Sequence, residues 1–176
     1  MNKYSIVIIF LFLVTTFLSC EKESVSSKFT YNQKANELIQ QVLIDESCEC
    51  FLQIPDTSML IFRSKEDPIQ DIRKEVIKKL HLRDSIELDS LDYLSNNFIL
   101  NNTNRRVIQR NSFRASLKDF SLLKTCPNGV LSILKPIFDK DYKNAIIDYG
   151  YTSVCIPAPI SVYKFENGKW QRLKTQ

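Results

Sequence analysis

The chain has 176 residues, with 24 Lys and Arg against 20 Asp and Glu, a formal net charge of +4, three glycines and one histidine. So mild a positive balance does not suit a nucleic-acid binder, which concentrates basic charge. One histidine limits acid-base and triad chemistry, and no G-x-S-x-G, P-loop or H-E-x-x-H motif occurs.

Residues 1–20 read MNKYSIVIIFLFLVTTFLSC: Lys3, an apolar run from Tyr4 to Leu18, small Ser19, then Cys20. That is the order of a secretory signal. The run is shorter than the roughly 20 residues a membrane-spanning helix needs. Phe17-Leu18-Ser19-Cys20 resembles the lipobox of bacterial lipoproteins, although Phe17 stands where Leu is usual and Leu18 is larger than the motif prefers. The resemblance implies diacylglycerol on the Cys20 sulfur, removal of residues 1–19 as a signal peptide, and acylation of the new amine (palmitate, for example). An uncleaved anchor helix and a plain signal peptide are the alternatives. Glu21, Lys22, Glu23, Ser24, Ser26 and Ser27 follow, with little apolar before Phe29, so residues 20–29 read as a flexible tether of roughly 15 Å. Lys22 and its acidic neighbours also resemble the export signals of surface-displayed Bacteroidota lipoproteins.

Thr30 and Gln33 have capping-box spacing, and Ala35, Leu38, Ile39, Val42 and Leu43 recur at helical intervals, predicting a helix over 31–45. Cys48, Cys50, Leu52 and Ile54 alternate with Glu49, Phe51 and Gln53, the period of a strand, and Ser58 to Phe62 reads as a second strand in a hairpin with it. Asp67-Pro68 resembles a helix start, with Ile69, Ile72, Val76, Ile77 and Leu80 on one face up to His81. Asp84 or Ser85 caps a shorter helix holding Ile86, Leu88, Leu91 and Leu94. Residues 96–104 are an asparagine-rich loop, Arg106 to Arg110 a short strand, and Ser112 a cap for a helix through Phe113, Leu117 and Phe120.

Beyond the Pro127-Asn128-Gly129 turn the pattern is β throughout. Val130 to Phe138 and Ala145 to Cys155 read as two strands about a polar turn. Ile160 to Phe165 and Lys169 to Leu173 form a hairpin through Asn167-Gly168. The fold class is therefore α+β: N-terminal helices with short strands packed on a C-terminal antiparallel meander, one domain over 30–176. The segment PIFDKDYKNAIIDYGYTSVCIPAPISVYKFENGKWQRLK resembles the ending of small uncharacterised Bacteroidota lipoproteins. That likeness implies fold and compartment and carries no active site.

Apart from Cys20, the cysteines are Cys48, Cys50, Cys126 and Cys155. An even number in an exported chain favours disulfides. Cys48 and Cys50 share a strand face about 6.6 Å apart, near the limit for bridging, so the expectation is that one or both reach Cys126 and Cys155, with the pairing open. Buried free thiols are the alternative. A thiolate metal site would show two close ligand pairs, and Cys126 and Cys155 are far apart, so no metal and no cofactor is expected.

The other clusters have bland explanations beside sharper ones. His81 suits a helix C-terminus. Asp84, Glu87, Asp89 and Asp92 lack the glycine of a calcium loop and read as a solvated helix face. Asp84-Ser85-Ile86 and Asp89-Ser90-Leu91 resemble the Asp-Ser-aliphatic acceptor of Bacteroidota O-glycosylation. Arg105, Arg106, Arg110 and Arg114 could meet anionic headgroups or an acidic partner. Cys155-Ile-Pro-Ala-Pro-Ile160 is a stiff loop suited to contact. With no nucleophile–base pair and no catalytic residue identified, the expectation is a lipid-anchored cell-envelope protein, with the domain on the periplasmic or surface face of a bacterial membrane, the outer membrane foremost, acting as a non-catalytic binding module for an envelope protein or cell-wall partner. The alternatives are an inhibitor or immunity protein against a secreted toxin or hydrolase, and a hydrolase that uses carboxylates, Asp148 among them.

Overall fold

Tyr31, Ala35, Leu38, Ile39, Val42 and Leu43 fall on one side of the first helix, α1 (27–45), and all are buried. Burial of such side chains is worth about 1.5 to 3 kcal/mol each for the larger ones, which is what holds this helix to the rest of the chain. The computed structural model describes residues 27–47, 49–66, 71–116, 121–152 and 160–173. α1 takes in residues 27–29, which the sequence assigns to the tether.

Two four-stranded sheets lie beneath α1. The first has the order β2-β1-β3-β6, built from β1 (Cys50–Leu52), β2 (Arg106–Ile108), β3 (Leu131–Ile133) and β6 (Tyr149–Tyr151). β1 pairs in parallel with both β2 and β3, and β3 is antiparallel to β6. The second, β4-β5-β7-β8, consists of β4 (Ile137–Phe138), β5 (Asn144–Ile147), β7 (Ser161–Glu166) and β8 (Lys169–Arg172), and every pair in it is antiparallel. The chain is thus α+β as its pattern predicts, with the expected C-terminal antiparallel sheet. The mixed parallel sheet at the centre is not legible in the sequence.

Each sheet is covered on both faces. Phe51, Leu131 and Ile133 of the first sheet and Phe138, Ala145, Ile147, Tyr163 and Trp170 of the second pack with α1 in one core. Leu134, Ile137, Ile146 and Ile160 face the other way, onto Met59 and Leu60 of α2 (Met59–Glu66), Ile72, Val76 and Leu80 of α3 (Ile72–Leu80), and Leu88 of α4 (Ser85–Tyr93). Cys50, Leu52 and Val130 face Phe113 of α5 (Arg110–Ser116) and Leu122 of α6 (Ser121–Thr125). Cys50 and Leu52 lie on one side of β1 and Phe51 on the other, as the alternation predicts.

Several local expectations change. Ser58 to Phe62 is not a strand: Ser58 Oγ accepts from Ile61 N at 3.4 Å and starts α2. A short apolar run is ambiguous between the two states, and here β1 finds parallel neighbours instead of a hairpin partner. Asp67-Pro68 lies outside the described residues, and Asp71 caps α3 by accepting from Lys74 N. α5 begins at Arg110, so Ser112 sits inside the helix rather than at its cap. Val130 to Phe138 is two strands, because Pro136 brings no N–H to the ladder. Its partner Ala145 to Cys155 divides at Asp148 to match, with residues 153–155 outside the described residues. The result is one long hairpin bent in the middle, β3 pairing β6 and β4 pairing β5.

The turns follow their residues. His81 ends α3 in the left-handed region (φ 54), and Leu82 N–H returns to Ile77 O at 3.0 Å. Asp139 closes the polar turn by accepting from Lys143 N at 2.8 Å. Asn167 (φ 52) and Gly168 (φ 77) give β7–β8 its two-residue turn.

Candidate functional site

Cys50 and Cys126 form a disulfide with their Cα atoms 5.9 Å apart. It pins β1 to the segment after α6, within the core of Leu52, Val130, Ile108, Phe113 and Leu122. One of the expected cross-chain bridges is therefore present. Cys20, Cys48 and Cys155 lie outside the described residues, as does most of the Cys155 to Ile160 loop. Among the described residues, no group of three or more His, Cys, Asp or Glu side chains could hold a metal ion.

A polar seam follows the bend of the hairpin. Lys135, 3% exposed, turns its amine inward to donate to Asp56 O. Desolvation holds this amine below the usual lysine range, against the pull of Asp56 and Asp92. The Asp92 carboxyl is raised, chiefly by burial, although a hydrogen bond from Ser58 and the charge of Arg73 oppose the shift. Asp92 Oδ1 and Ser95 Oγ are buried without a hydrogen-bond partner among the described residues. On the far side of the bend Arg63 Nε meets Asp148 Oδ2 at 3.1 Å.

An amine beside a serine is a pair that can carry acyl-transfer chemistry when both are free. Here both are engaged. Ser58 Oγ caps α2, Lys135 holds the Asp56 carbonyl, and both side chains are buried. The seam as it stands fixes α2 and α4 against the bend. Its one sequence signal was Lys135-Pro136, a charge and a proline inside an apolar run.

The carboxylate group of α4 divides into separate duties. Asp84 caps the helix by accepting from Glu87 N at 2.9 Å. Glu87 accepts from Arg83 N at 2.8 Å and pairs with Lys140 at 2.9 Å, and these contacts lower its carboxyl to about 2. Asp89 pairs with Arg73 at 2.6 Å. Asp84 and Asp89 are exposed, as expected of a solvated helix face, whereas Glu87 and Asp92 are partly covered. Ser90 Oγ donates to Ile86 O at 3.0 Å and Ser85 opens the helix.

The arginine group is likewise dispersed. Arg110 Nε donates to Gln53 O at 2.7 Å, and its guanidinium lies 5.0 Å from the Phe62 ring centroid. Arg106 pairs with Cys50 in the β1–β2 register, and the Arg114 side chain lies outside the described residues.

Arg105 lines an open groove of about 470 Å³ between α1 and residues 102–105, with Gln40, Leu43 and Ile44 on the helix side. Two asparagines of α1 build this groove, and sequence reasoning missed both. Asn36 donates to Ile99 O at 3.0 Å and accepts from Asn101 N at 2.7 Å, while Asn32 accepts from Ile99 N at 2.9 Å. The loop is thereby laid along the helix, and its amides, Thr103 and Arg105 are offered to solvent beside Ile44, which is 62% exposed. Such a lining can hydrogen-bond a polar ligand and pair with one carboxylate while packing a small apolar group.

Comparison with protein-family models, curated proteins and solved structures returned no match to this chain.

Proposed function

We propose that this chain is a lipid-anchored bacterial cell-envelope protein whose folded part is a non-catalytic binding module. The observation that carries the reading is the Cys50–Cys126 bridge. Disulfides persist in oxidising compartments and are rare in a reducing cytosol, which is where the signal-like residues 1–19 and the lipobox-like Cys20 would send the chain. No helix among the described residues is long and apolar enough to cross a membrane. In this reading the attachment is the lipid on Cys20.

The binding surface is the groove of Gln40, Ile44 and Arg105. It combines polar donors with an exposed apolar side chain, whereas the buried seam at Lys135 and the Arg63-bound Asp148 face inward. Fractionation with an alkyne-palmitate label tests the anchor. The wild-type chain is expected in membranes and labelled, and Cys20→Ala released and unlabelled; membrane retention of Cys20→Ala would refute the acyl anchor. The groove is tested by envelope pull-down with Ile44→Ser and Arg105→Ala. Unchanged capture by both variants would move the contact elsewhere.

A further inference from the structure

Three large apolar side chains stand out from the fold around the first turn of α1: Phe29 at 73% exposed, Tyr93 at 61% and Ile99 at 69%. Their positions bring them to the same end of α1. Lys28 Nζ lies 5.9 Å from the centroid of the Tyr93 ring. Ile99 is tied to α1 through both of its backbone groups, by Asn32 and Asn36. Phe29 precedes those two asparagines by one and two helical turns and so shares their face.

The patch is firmly mounted. Tyr142 donates to Ser27 O at 3.1 Å, and Tyr31 packs edge-on against Phe98 with ring centroids 6.4 Å apart. Lys34, further along α1, is paired with Glu37 at 2.7 Å.

The course of the chain points to the occupant. Cys20 lies only seven residues before Ser27, a reach of at most about 25 Å even when fully extended. With acyl chains on Cys20, the first turn of α1 is the part of the fold held closest to lipid.

Resting on the lipid-anchor reading, we infer that this patch seats on the bilayer surface, with Phe29 and Ile99 entering the boundary between headgroups and acyl chains. Tyr93 and Lys28 lie at headgroup level, where an amphipathic ring and a long amine both fit. The anchor supplies a high local concentration of lipid, so a modest apolar contact suffices to hold the domain in one orientation.

The test uses the mature acylated protein in phosphatidylcholine vesicles carrying brominated acyl chains, which quench nearby tryptophan. Trp170, the one native tryptophan, is 3% exposed in the core and serves as the internal reference. Ile99→Trp is expected to lose at least half of its added emission, and Val107→Trp, on the edge strand β2, essentially none. Adding Phe29→Ser and Tyr93→Ser to Ile99→Trp should relieve the quenching while the protein still sediments with vesicles. Phe29→Trp provides a second reporter should Ile99→Trp fold poorly.

If the chain sediments but neither reporter is quenched more than Val107→Trp, the seating proposal is overturned and the anchor stands. Cross-linking of the patch to a second copy would overturn it in the same way. If the wild-type chain does not sediment with vesicles at all, the anchor reading falls and the seating proposal falls with it.

Discussion

Arg63 Nε and Asp148 Oδ2 meet at 3.1 Å with each side chain about one-tenth exposed, joining α2 to the bend of the long hairpin. Removing one member leaves the other charged in a poorly solvated place. Arg63→Ala is expected to lower stability by about 3 kcal/mol, read from urea unfolding followed by Trp170 fluorescence. Arg63→Met with Asp148→Leu should cost clearly less, and equal losses for the single and double variants would show that the pair has no special weight.

The Cys50–Cys126 bridge closes a loop with a sequence separation of 76 residues. Chain-entropy arguments put its contribution at about 4 kcal/mol. Reduction, or Cys126→Ser, should shift the urea midpoint down by a corresponding amount. In the denatured, unreduced protein, mass spectrometry after alkylation should find Cys50 and Cys126 unmodified; alkylation of both would contradict the bridge.

Glu87 and Asp92 predict opposite responses to acid. The Glu87 carboxyl is lowered to about 2, first by the Arg83 backbone N–H and then by Lys140. Its stabilisation is therefore present above the ordinary glutamate range and is lost as pH falls toward about 2. Glu87→Gln should be less stable than wild type at pH 7, and the gap should close in strong acid. A gap that did not depend on pH would show that shape, not charge, matters there.

Asp92 is raised, first by burial. The folded state thus favours the protonated acid, and the ionised form becomes a burden as pH rises through the ordinary aspartate range and then the raised folded value. Asp92→Asn should match wild type in acid and gain on it at pH 7. Lys135→Met alone should be more harmful than in the Asp92→Asn background, with a coupling of about 1 kcal/mol. Strict additivity in a double-mutant cycle would separate the two groups.

Asn36 satisfies the backbone of Ile99 and Asn101 from one side chain. Asn36→Ala is expected to cost about 2 kcal/mol and to speed amide exchange at Asn101, whose N–H it accepts, more than at Ile99, whose N–H donates to Asn32. Unchanged protection at the Asn101 amide would remove the asparagine from the account of the groove.

What the sequence disclosed was what local chemistry decides. The amphipathic face of α1, a cap at Asp84 or Ser85, the helix end at His81 and the Asn167-Gly168 turn all depend on residues within one or two turns of each other. What it concealed depended on distant partners. Phe51 reads the same whether its strand has a hairpin neighbour or two parallel ones, and Ser58-Met59-Leu60 could extend or coil until β1 was paired elsewhere. The bend needed Lys135-Pro136 to be read as an interruption, because a charged residue there must find a buried acceptor. The groove was invisible for a related reason: Asn32 and Asn36 look like ordinary polar residues of a helix until the loop they hold is in view.

The bent hairpin also makes the chain indivisible. Leu134 donates to Asp148 O at 2.9 Å across the bend, and each arm serves one sheet before the bend and the other after it. Cutting there would leave one fragment with three strands of the first sheet and another with the fourth strand of that sheet beside the whole second sheet, and would expose a raw strand edge on each. An insertion at the Asn167-Gly168 turn leaves both sheets whole, so a tag or reporter belongs there and never between Leu134 and Pro136.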